Sequence, residues 1–576
     1  MGCREREPYG RADGRPHVRS PRSAWRLAVS RRLRLLALAI VIGCTGDEAG
    51  FELPPVPPSA PAEDGGDPPP EPDEDAGEDA TTPPSTPGWE DTAALYFVLT
   101  DRFANGDPAN DGEDECFDPA HPRRYHGGDF AGLRARAGYL EELGVDAVWI
   151  TPVQRQVGRI GEGCGYHGYW ADLDDPDDGA IEPRLGGAAA LDALLEDFHG
   201  RGIRVVADLV VNHVGYGARL TRTRPGWFHD GRTSCQDDPR RCSLAGLPDL
   251  AQEREEVAAY LDAYSARFVR RFPFDGVRMD TVKHVPASYF AERWIPTVRA
   301  ERDLWLVGEL LDGSGYDPFV PYVEAGFDGL FDFPLHGAML DAFARGGSLN
   351  GVASRVQEYV DRFGIAAARR KSQLLDNHDV PRFLQASEGR PEAERVAGYR
   401  LALATLFTVP GIPQLYYGDE LGFTGEWPEN RRDMPAWAFD PEARGGAGRE
   451  GVVGDPGETF ALTRELIALR RALPALRRGG YAELWRPNGG ADVWVFFRSV
   501  GESHVVVAIH GGEEAVSGLP MPVATNPGLS ESDRAALEGA RFREALGAWE
   551  GGEARVEGGE LVVDMPPQSA FVWVVE

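Results

Sequence analysis

From residue 93 onward the chain alternates between short apolar runs and stretches whose apolar residues recur every three or four positions. Eight runs stand out: "AALYFVLTDRF" from Ala93, "LGVDAVWITPV" from Leu143, "GIRVVADLVVNH" from Gly202, "FDGVRMD" from Phe274, "LWLVGEL" from Leu304, "FDGLFDF" from Phe327, "SQLLDNHD" from Ser372 and "GIPQLYYGDE" from Gly411. Each is nearly continuous in apolar side chains, the pattern of parallel strands covered on both faces. Between them, "LRARAGYLEELG" and "AALDALLEDFHGRG" carry apolar residues on one helical face and end in glycine, as amphipathic helices with a glycine cap do. Eight strands alternating with helices over about 330 residues fit either an open doubly wound sheet or a closed barrel. Polar residues decide between them. Asp101, Asn212, His213, Asp280, Glu309 and Asp379 follow the carboxyl ends of different strands, as expected where one face of a barrel assembles a site. No GxGxxG follows the first strand, which weakens a dinucleotide-binding reading. The pattern predicts an α/β protein built on a (β/α)8 TIM barrel.

Two departures from this rhythm define the remaining organisation. After "VVNHVGYG" a segment without barrel periodicity runs to "LPDL", read as a small domain inserted after the third strand, residues 213–250. From residue 480 the runs "ADVWVFFRSV", "SHVVVAIHG" and "GELVVDMPPQSAFVWVVE" are strand-like and joined by glycine-rich turns, predicting a C-terminal antiparallel β-sandwich over 480–576. The catalytic barrel then occupies 92–479.

The N-terminal region changes the picture of where the protein works. Residues 1–34 are rich in arginine and lead into "LLALAIVIGC", Leu35–Cys44. This apolar run is too short for a permanent membrane span and has the layout of an export signal. Its last four residues resemble a bacterial lipobox, which implies lipidation at Cys44 and the cell envelope or surface as location, with membrane contact through that lipid only. Residues 45–91 hold 14 acidic residues and no lysine or arginine, among many prolines and glycines. Such a composition cannot bury a core and predicts a disordered tether. Cys235 and Cys242, seven apart, are a candidate disulfide in an exported chain, with Cys116 and Cys164 as a second. The 576 residues are 42% hydrophobic, enough for a large core, and the formal charge is -32. That charge argues against a nucleic-acid partner, which requires clustered cations. It leaves a neutral ligand such as a glycan open.

Three acids carry the candidate chemistry: Asp280, Glu309 and Asp379. Arg278 lies two residues before Asp280, on the same side of a strand, and a neighbouring cation keeps a carboxylate ionised, as a nucleophile requires. Glu309 follows the apolar "WLVG", where the protonated form is favoured, as a general acid requires. Asp379 and His378 in "DNHD" offer polar contacts to a hydroxylated ligand. Paired carboxyls in different environments are what glycosidic cleavage needs, and a covalent mechanism sets them about 5–5.5 Å apart.

On these residues the chain resembles the α-amylase family of glycoside hydrolases over roughly residues 95–576. "DLVVNH" (Asp208–His213), "GVRMDTVKH" (Gly276–His284), "VGEL" (Val307–Leu310) and "LLDNHD" (Leu374–Asp379) resemble its four conserved regions, and "GLPDL", "GVDAVWITPV" and "GIPQLYYGDE" resemble further signatures. The resemblance implies Asp280 as nucleophile, Glu309 as acid/base, and Asp379 as the residue that holds and distorts the sugar. It implies that Arg278 orients Asp280, that His213, His378 and His167 bond the same sugar, that Tyr169 stacks on it, and that Lys283 reaches a sugar beyond the cleaved bond. Calcium is implied twice. One site would use Asn212, Asp249 and the backbone carbonyl of His284. The other, resembling a loop of cyclodextrin glucanotransferases, would use Asn105, Asp107, Asn110, Asp111, Asp129 and the carbonyl of Gly127. The implied activity is endo-acting, retaining hydrolysis of α-1,4-glucosidic bonds in starch or maltooligosaccharides by a monomer. A cyclomaltodextrinase or an α-glucan transglycosylase would use the same three acids. A non-catalytic glycan-binding protein on the same scaffold would be expected to have lost one of them.

Overall fold

Eight short strands alternate with helices in the order the apolar runs predict: β1 Leu95–Val98, β2 Ala147–Ile150, β3 Arg204–Leu209, β4 Gly276–Met279, β5 Trp305–Gly308, β6 Gly329–Leu330, β7 Ser372–Leu374 and β8 Ile412–Tyr416. The structure is a computed structural model that describes residues 88–173, 180–487 and 490–576. The signal segment 1–44 with Cys44, and the tether up to residue 87, lie outside the described residues. Nearly every strand residue is buried, since helices cover the outside and side chains fill the inside. All the pairings are parallel, in the order β6-β5-β4-β3-β2-β1-β8-β7. β6 is only two residues long. The barrel closes there through a bridge between Phe331 and Ser372, the Asp332 amide donating to the Ser372 carbonyl at 2.8 Å. A buried ion pair, Lys371 Nζ to Asp332 at 2.5 Å, reinforces the seam.

Two sequence expectations are corrected. The stretch from Leu133 to Gly144 forms two helices, Phe130–Ala135 and Ala137–Leu143, meeting at Arg136, whose φ of -103° and ψ of 12° leave the helical range. Its apolar face continues across the break, with Leu133, Tyr139, Leu140 and Leu143 buried. The end of the predicted tether is also folded. Trp89 stacks on Trp305 at 4.7 Å between ring centroids, and Asp91 is buried against Arg477 and Arg478. One large aromatic ring supplies the burial that the acidic, proline-rich stretch before it lacks.

The segment after β3 contains helical turns and no strands of its own. It returns beside its own start through a bridge between His213 and Asp249. Cys235 and Cys242 are joined, as are Cys116 and Cys164, with Cα separations of 5.0 and 5.7 Å. At the C-terminal end, β9 Ala482–Trp485, β10 Val493–Val500, β11 Ser503–His510, β13 Phe542–Glu544 and β16 Ser569–Val575 form one antiparallel sheet, and β12 Val516–Pro522, β14 Glu553–Glu557 and β15 Glu560–Met565 a second. Strand alternation explains why β10 is apolar at nearly every position. Val493, Val495 and Phe497 pack against Leu561, Val563 and Met565 of the second sheet, while Trp494 and Phe496 join the barrel's core. Among the described residues no helix is long and apolar enough to cross a membrane.

Candidate active site

Strand register builds the floor of the site. β3 and β4 pair with Asp208 opposite Arg278, and β4 and β5 with Met279 opposite Gly308. Asp208 and Arg278 therefore meet side by side inside the barrel, and Asp280 and Glu309 emerge together at its carboxyl end. Arg278 is fully buried and serves three acids. Nη1 donates to Asp280 Oδ1 at 2.7 Å and to Asp208 Oδ1 at 2.9 Å, and Nη2 lies 2.8 Å from Glu309 Oε2. Two carboxyls on neighbouring nitrogens of one guanidinium are close neighbours, as the double-displacement geometry requires. The turn between them is strained: Thr281 adopts φ 48° and ψ 42°, a left-handed conformation rare for a β-branched residue. It aims the Thr281 amide at Glu309 Oε2 (3.0 Å) and the hydroxyl at Asp280 Oδ2 (3.0 Å). A threonine carries no sequence signal for such a conformation.

The electrostatics separate the acids. Burial pushes the Glu309 carboxyl up to about 8; Arg278 opposes this, and the charges of Asp280 and Asp379 add to it. Glu309 thus keeps its proton at neutral pH. For Asp379, burial works upward but is outweighed by the permanent positive charges of Arg431 and Arg278, which hold the carboxyl below the usual range. His378 is pushed down to about 3 and His213 is also lowered, burial being the main cause for both. The same holds for His167, well below the usual imidazole value. Three neutral imidazoles therefore line the cleft, and His378 Nδ1 is buried without a protein partner.

A cavity of about 550 Å³ opens above this floor, lined by His167, Tyr169, His213, Asp280, Lys283, Glu309, His378 and Asp379 among others. Of the strand-end acids, Asp101 stays out of it, buried and accepting from the His126 and Gly127 amides. Tyr169 is fixed by its hydroxyl, which donates to Asp208 Oδ2 at 2.7 Å. Its ring runs nearly parallel to those of His378 and His167, 5.2 and 5.7 Å away, giving one aromatic wall. Lys283 lines the cleft while paired with Asp312 at 2.9 Å. The inserted segment forms the facing lip through Cys235, Gln236, Pro239, Leu244 and Leu247, with Leu311 after β5.

Three residues that sequence reasoning left without a role belong to this arrangement. Asp208, the first residue of "DLVVNH", anchors Arg278 and Tyr169, a role that its register opposite Arg278 makes plain. Arg431 pairs with Asp379 at 3.1 Å and donates to the His378 carbonyl at 2.8 Å. It reaches back from a loop after β8, which no local pattern reveals. Asp312 is the partner of Lys283.

The residues considered for metal fall into two groups. One amide atom of Asn212 lies 3.1 Å from the His284 carbonyl oxygen and 3.2 Å from Asp249 Oδ1. With nitrogen turned toward them, the amide donates to both and its oxygen accepts from His213. With oxygen turned toward them, three oxygens face one another, an arrangement that requires a cation between them. Asp249 Oδ2 is 2.6 Å from His229 Nδ1, and the His284 ring points away, to the Pro239 carbonyl at 2.7 Å. In the loop after β1, Asn105 donates to Asp111 at 3.0 Å and Asn110 to Asp129 at 2.8 Å. Asp129 also caps the helix Phe130–Ala135 and accepts from the Gly106 and Asp107 amides. Gly127 sits against Asn105 and Asp111, where a Cβ would meet their side chains at 2.4 and 2.5 Å. Burial raises the Asp111 carboxyl, and Asp129 and Asp107 add to this against Asn105 and Arg184. Asn110 Oδ1 is buried without a partner. Cys235 and Cys242 lie close to His284, but joined to each other they cannot act as thiolate ligands.

Comparison with known proteins places this arrangement. A family model described as the α-amylase catalytic domain matches residues 97–241 and 241–452. The chain is 30% identical over 464 residues to neopullulanase 2 of Thermoactinomyces vulgaris, covering 76% of this chain and 72% of that protein. It is 31% identical over 436 residues to a beta/alpha-amylase of Paenibacillus polymyxa, covering 72% of this chain but only 33% of that longer protein. A solved Anoxybacillus α-amylase superposes with a TM-score of 0.69 at 30% identity, covering 85% of this chain and 99% of the other. The strand order, the acids gathered on Arg278 and these matches agree: the chain belongs to the α-amylase family of glycoside hydrolases.

Proposed function

We propose that the protein hydrolyses internal α-1,4-glucosidic bonds of starch or maltooligosaccharides with retention of configuration. The observation that carries this reading is the pair of carboxyls on one guanidinium, one held beside a permanent cation and the other protonated at neutral pH. Asp280, oriented by Arg278 Nη1 and the Thr281 hydroxyl, attacks the anomeric carbon. Glu309 gives its proton to the departing glycosidic oxygen, then takes one from the water that releases the glycosyl–enzyme ester. Asp379 and the neutral imidazoles of His213, His378 and His167 hold the hydroxyls of the sugar being cleaved, Tyr169 packs on its apolar face, and Lys283 reaches a sugar beyond the cleaved bond. An NMR time course on maltoheptaose tests the stereochemistry. The first product is expected as the α anomer; an initial β anomer excludes Asp280 as nucleophile. Chains longer than the starting oligosaccharide would mark transfer to a sugar hydroxyl in place of water.

The raised Glu309 carboxyl sets the pH dependence. Because its proton is needed, kcat/KM in the free enzyme is expected to fall as pH rises through about 8. Glu309→Gln should lower activity by about 10²–10⁴-fold and remove that alkaline limb. A limb that persists in this variant assigns the titration to another group.

Calcium fits both candidate groups, on the converging oxygens of Asn212, Asp249 and the His284 carbonyl and on the acid cluster with its unpartnered Asn110 oxygen. Asn212, Asp249 and the His284 carbonyl would hold one ion, and Asn105, Asp107, Asn110, Asp111, Asp129 and the Gly127 carbonyl the other. Such ions would fix the inserted segment and the first loop against the barrel. Stripping calcium with a chelator should lower the thermal unfolding midpoint, and calcium should restore it where magnesium does not. An unchanged midpoint removes both sites.

Both disulfides support export into an oxidising compartment. Lipidation at Cys44 is the corresponding anchor in this reading, and metabolic labelling with a fatty acid, lost in Cys44→Ser, tests it.

A further inference from the structure

Among the described residues only three large apolar side chains are exposed: Leu311, Ile160 and Trp427, the last at 47%. Leu311 already lines the cleft. Trp427 lies in the loop after β8, four residues before Arg431, whose guanidinium is paired with Asp379. The turn that carries both is tight: the Arg431 amide donates to the Pro428 carbonyl at 3.0 Å, and the Asn430 amide to the Glu426 carbonyl at 2.9 Å. Asn430 Nδ2 in turn donates to the carbonyls of His378 and Val380. The indole is thus mounted on the backbone that holds the sugar-binding residues after β7.

Its second support comes from the neighbouring loop after β1. The Arg123 guanidinium lies over the Trp427 ring, 4.9 Å from the centroid. The Arg123 carbonyl accepts from the Cys164 amide at 2.8 Å, and Cys164 is tied to Cys116 by a disulfide. A Cβ at Gly163 would touch Trp170, which lines the cleft, at 3.3 Å and Arg123 at 3.6 Å. Arg123, in the loop after β1, and Trp427, after β8, therefore meet at the rim where the ends of the chain of strands adjoin. On a closed eight-stranded barrel this rim faces the loops after β4 and β5, which carry Lys283 and Leu311. A glucan that passes over Asp280 from the Lys283 side leaves the cleft toward Trp427.

We infer that Trp427, backed by Arg123, is a stacking platform for an additional glucosyl unit of the chain, outside the main cavity and on the side away from Lys283. A pyranose presents C–H groups on its face, and an indole whose other face is covered by a guanidinium offers a fixed apolar surface to it. Arg123 holds the ring in place without ordering cost when sugar arrives. The platform makes the enzyme a reader of chain length. This inference rests on the α-glucan reading above.

The test compares kcat/KM on maltotriose and maltoheptaose for the wild-type chain, Trp427→Ala, Trp427→Tyr and Arg123→Ala, together with each variant's thermal midpoint. Trp427→Ala should lose about tenfold on maltoheptaose with little change on maltotriose, Trp427→Tyr should retain most of the activity on maltoheptaose, and Arg123→Ala should fall between. The thermal midpoints should not move, since the ring is exposed. Equal losses on both substrates, or no loss on maltoheptaose, overturn the platform. A wild-type enzyme inactive on both substrates overturns the α-glucan reading itself, and this inference with it.

Discussion

Asp280→Asn is expected to abolish turnover of starch and maltoheptaose, with kcat falling on the order of 10⁴-fold or more, while the fold is retained. The amide is isosteric with the carboxylate, so the Thr281 hydroxyl and Arg278 keep partners at that position. What it lacks is the charge and the lone pair that form the bond to the anomeric carbon. Binding should therefore survive where chemistry does not, and the variant should still be protected from thermal unfolding by maltoheptaose. Activity within a hundredfold of wild type would show that another group attacks and would leave Asp280 with an electrostatic role only. A variant that neither turns over nor binds would place the fault in the fold, which its thermal midpoint reads directly.

Arg278→Met should have the largest effect on stability. The guanidinium is the shared partner of Asp208, Asp280 and Glu309, all buried. Removing it leaves buried carboxyls facing one another without their cation, at a cost of about 3–5 kcal/mol for the uncompensated charge. In a chain of this size the observable is the thermal midpoint, expected to fall on the order of 5 °C. Activity falls as well, because Asp280 loses the guanidinium that orients it. Arg278→Lys should recover little, since an ammonium is one point of charge and cannot set one nitrogen against Asp280 and another against Glu309. An unchanged midpoint in Arg278→Met would show that the guanidinium is not needed to compensate these carboxyls and would leave it an orienting role only.

Lys283 and Leu311 on one rim and Trp427 and Arg123 on the other give the two ends of the cleft different chemistry, a charged and apolar lip facing an aromatic shelf. The lip is reinforced by the disulfide between Cys235 and Cys242 and by the bond from His284 to the Pro239 carbonyl. Both ends are loops mounted on a rigid barrel, so chain length and product size can vary with them while Asp208, Arg278, Asp280 and Glu309 stay fixed by strand register.

The strands, the helices between them and the acids at their ends were all legible in the linear pattern. Each is a local property: an apolar run covered on both faces, a three-to-four periodicity, a charge placed just past a strand. The candidate nucleophile and acid were legible for the same reason, since Arg278 and the apolar "WLVG" are near neighbours of Asp280 and Glu309 in the chain. Which distant groups share a partner depended on how the strands assemble. Asp208 meets Arg278 because β3 and β4 lie side by side in one register. Arg431 meets Asp379 because a loop after β8 folds back over β7. Trp89 leaves the predicted tether because Trp305 and Arg204 offer it a surface, and Trp427 meets Arg123 because β8 and β1 are paired neighbours in the barrel. Contacts of this kind depend on which strands become neighbours, and a linear pattern records what each segment can bury but not what it will be buried against.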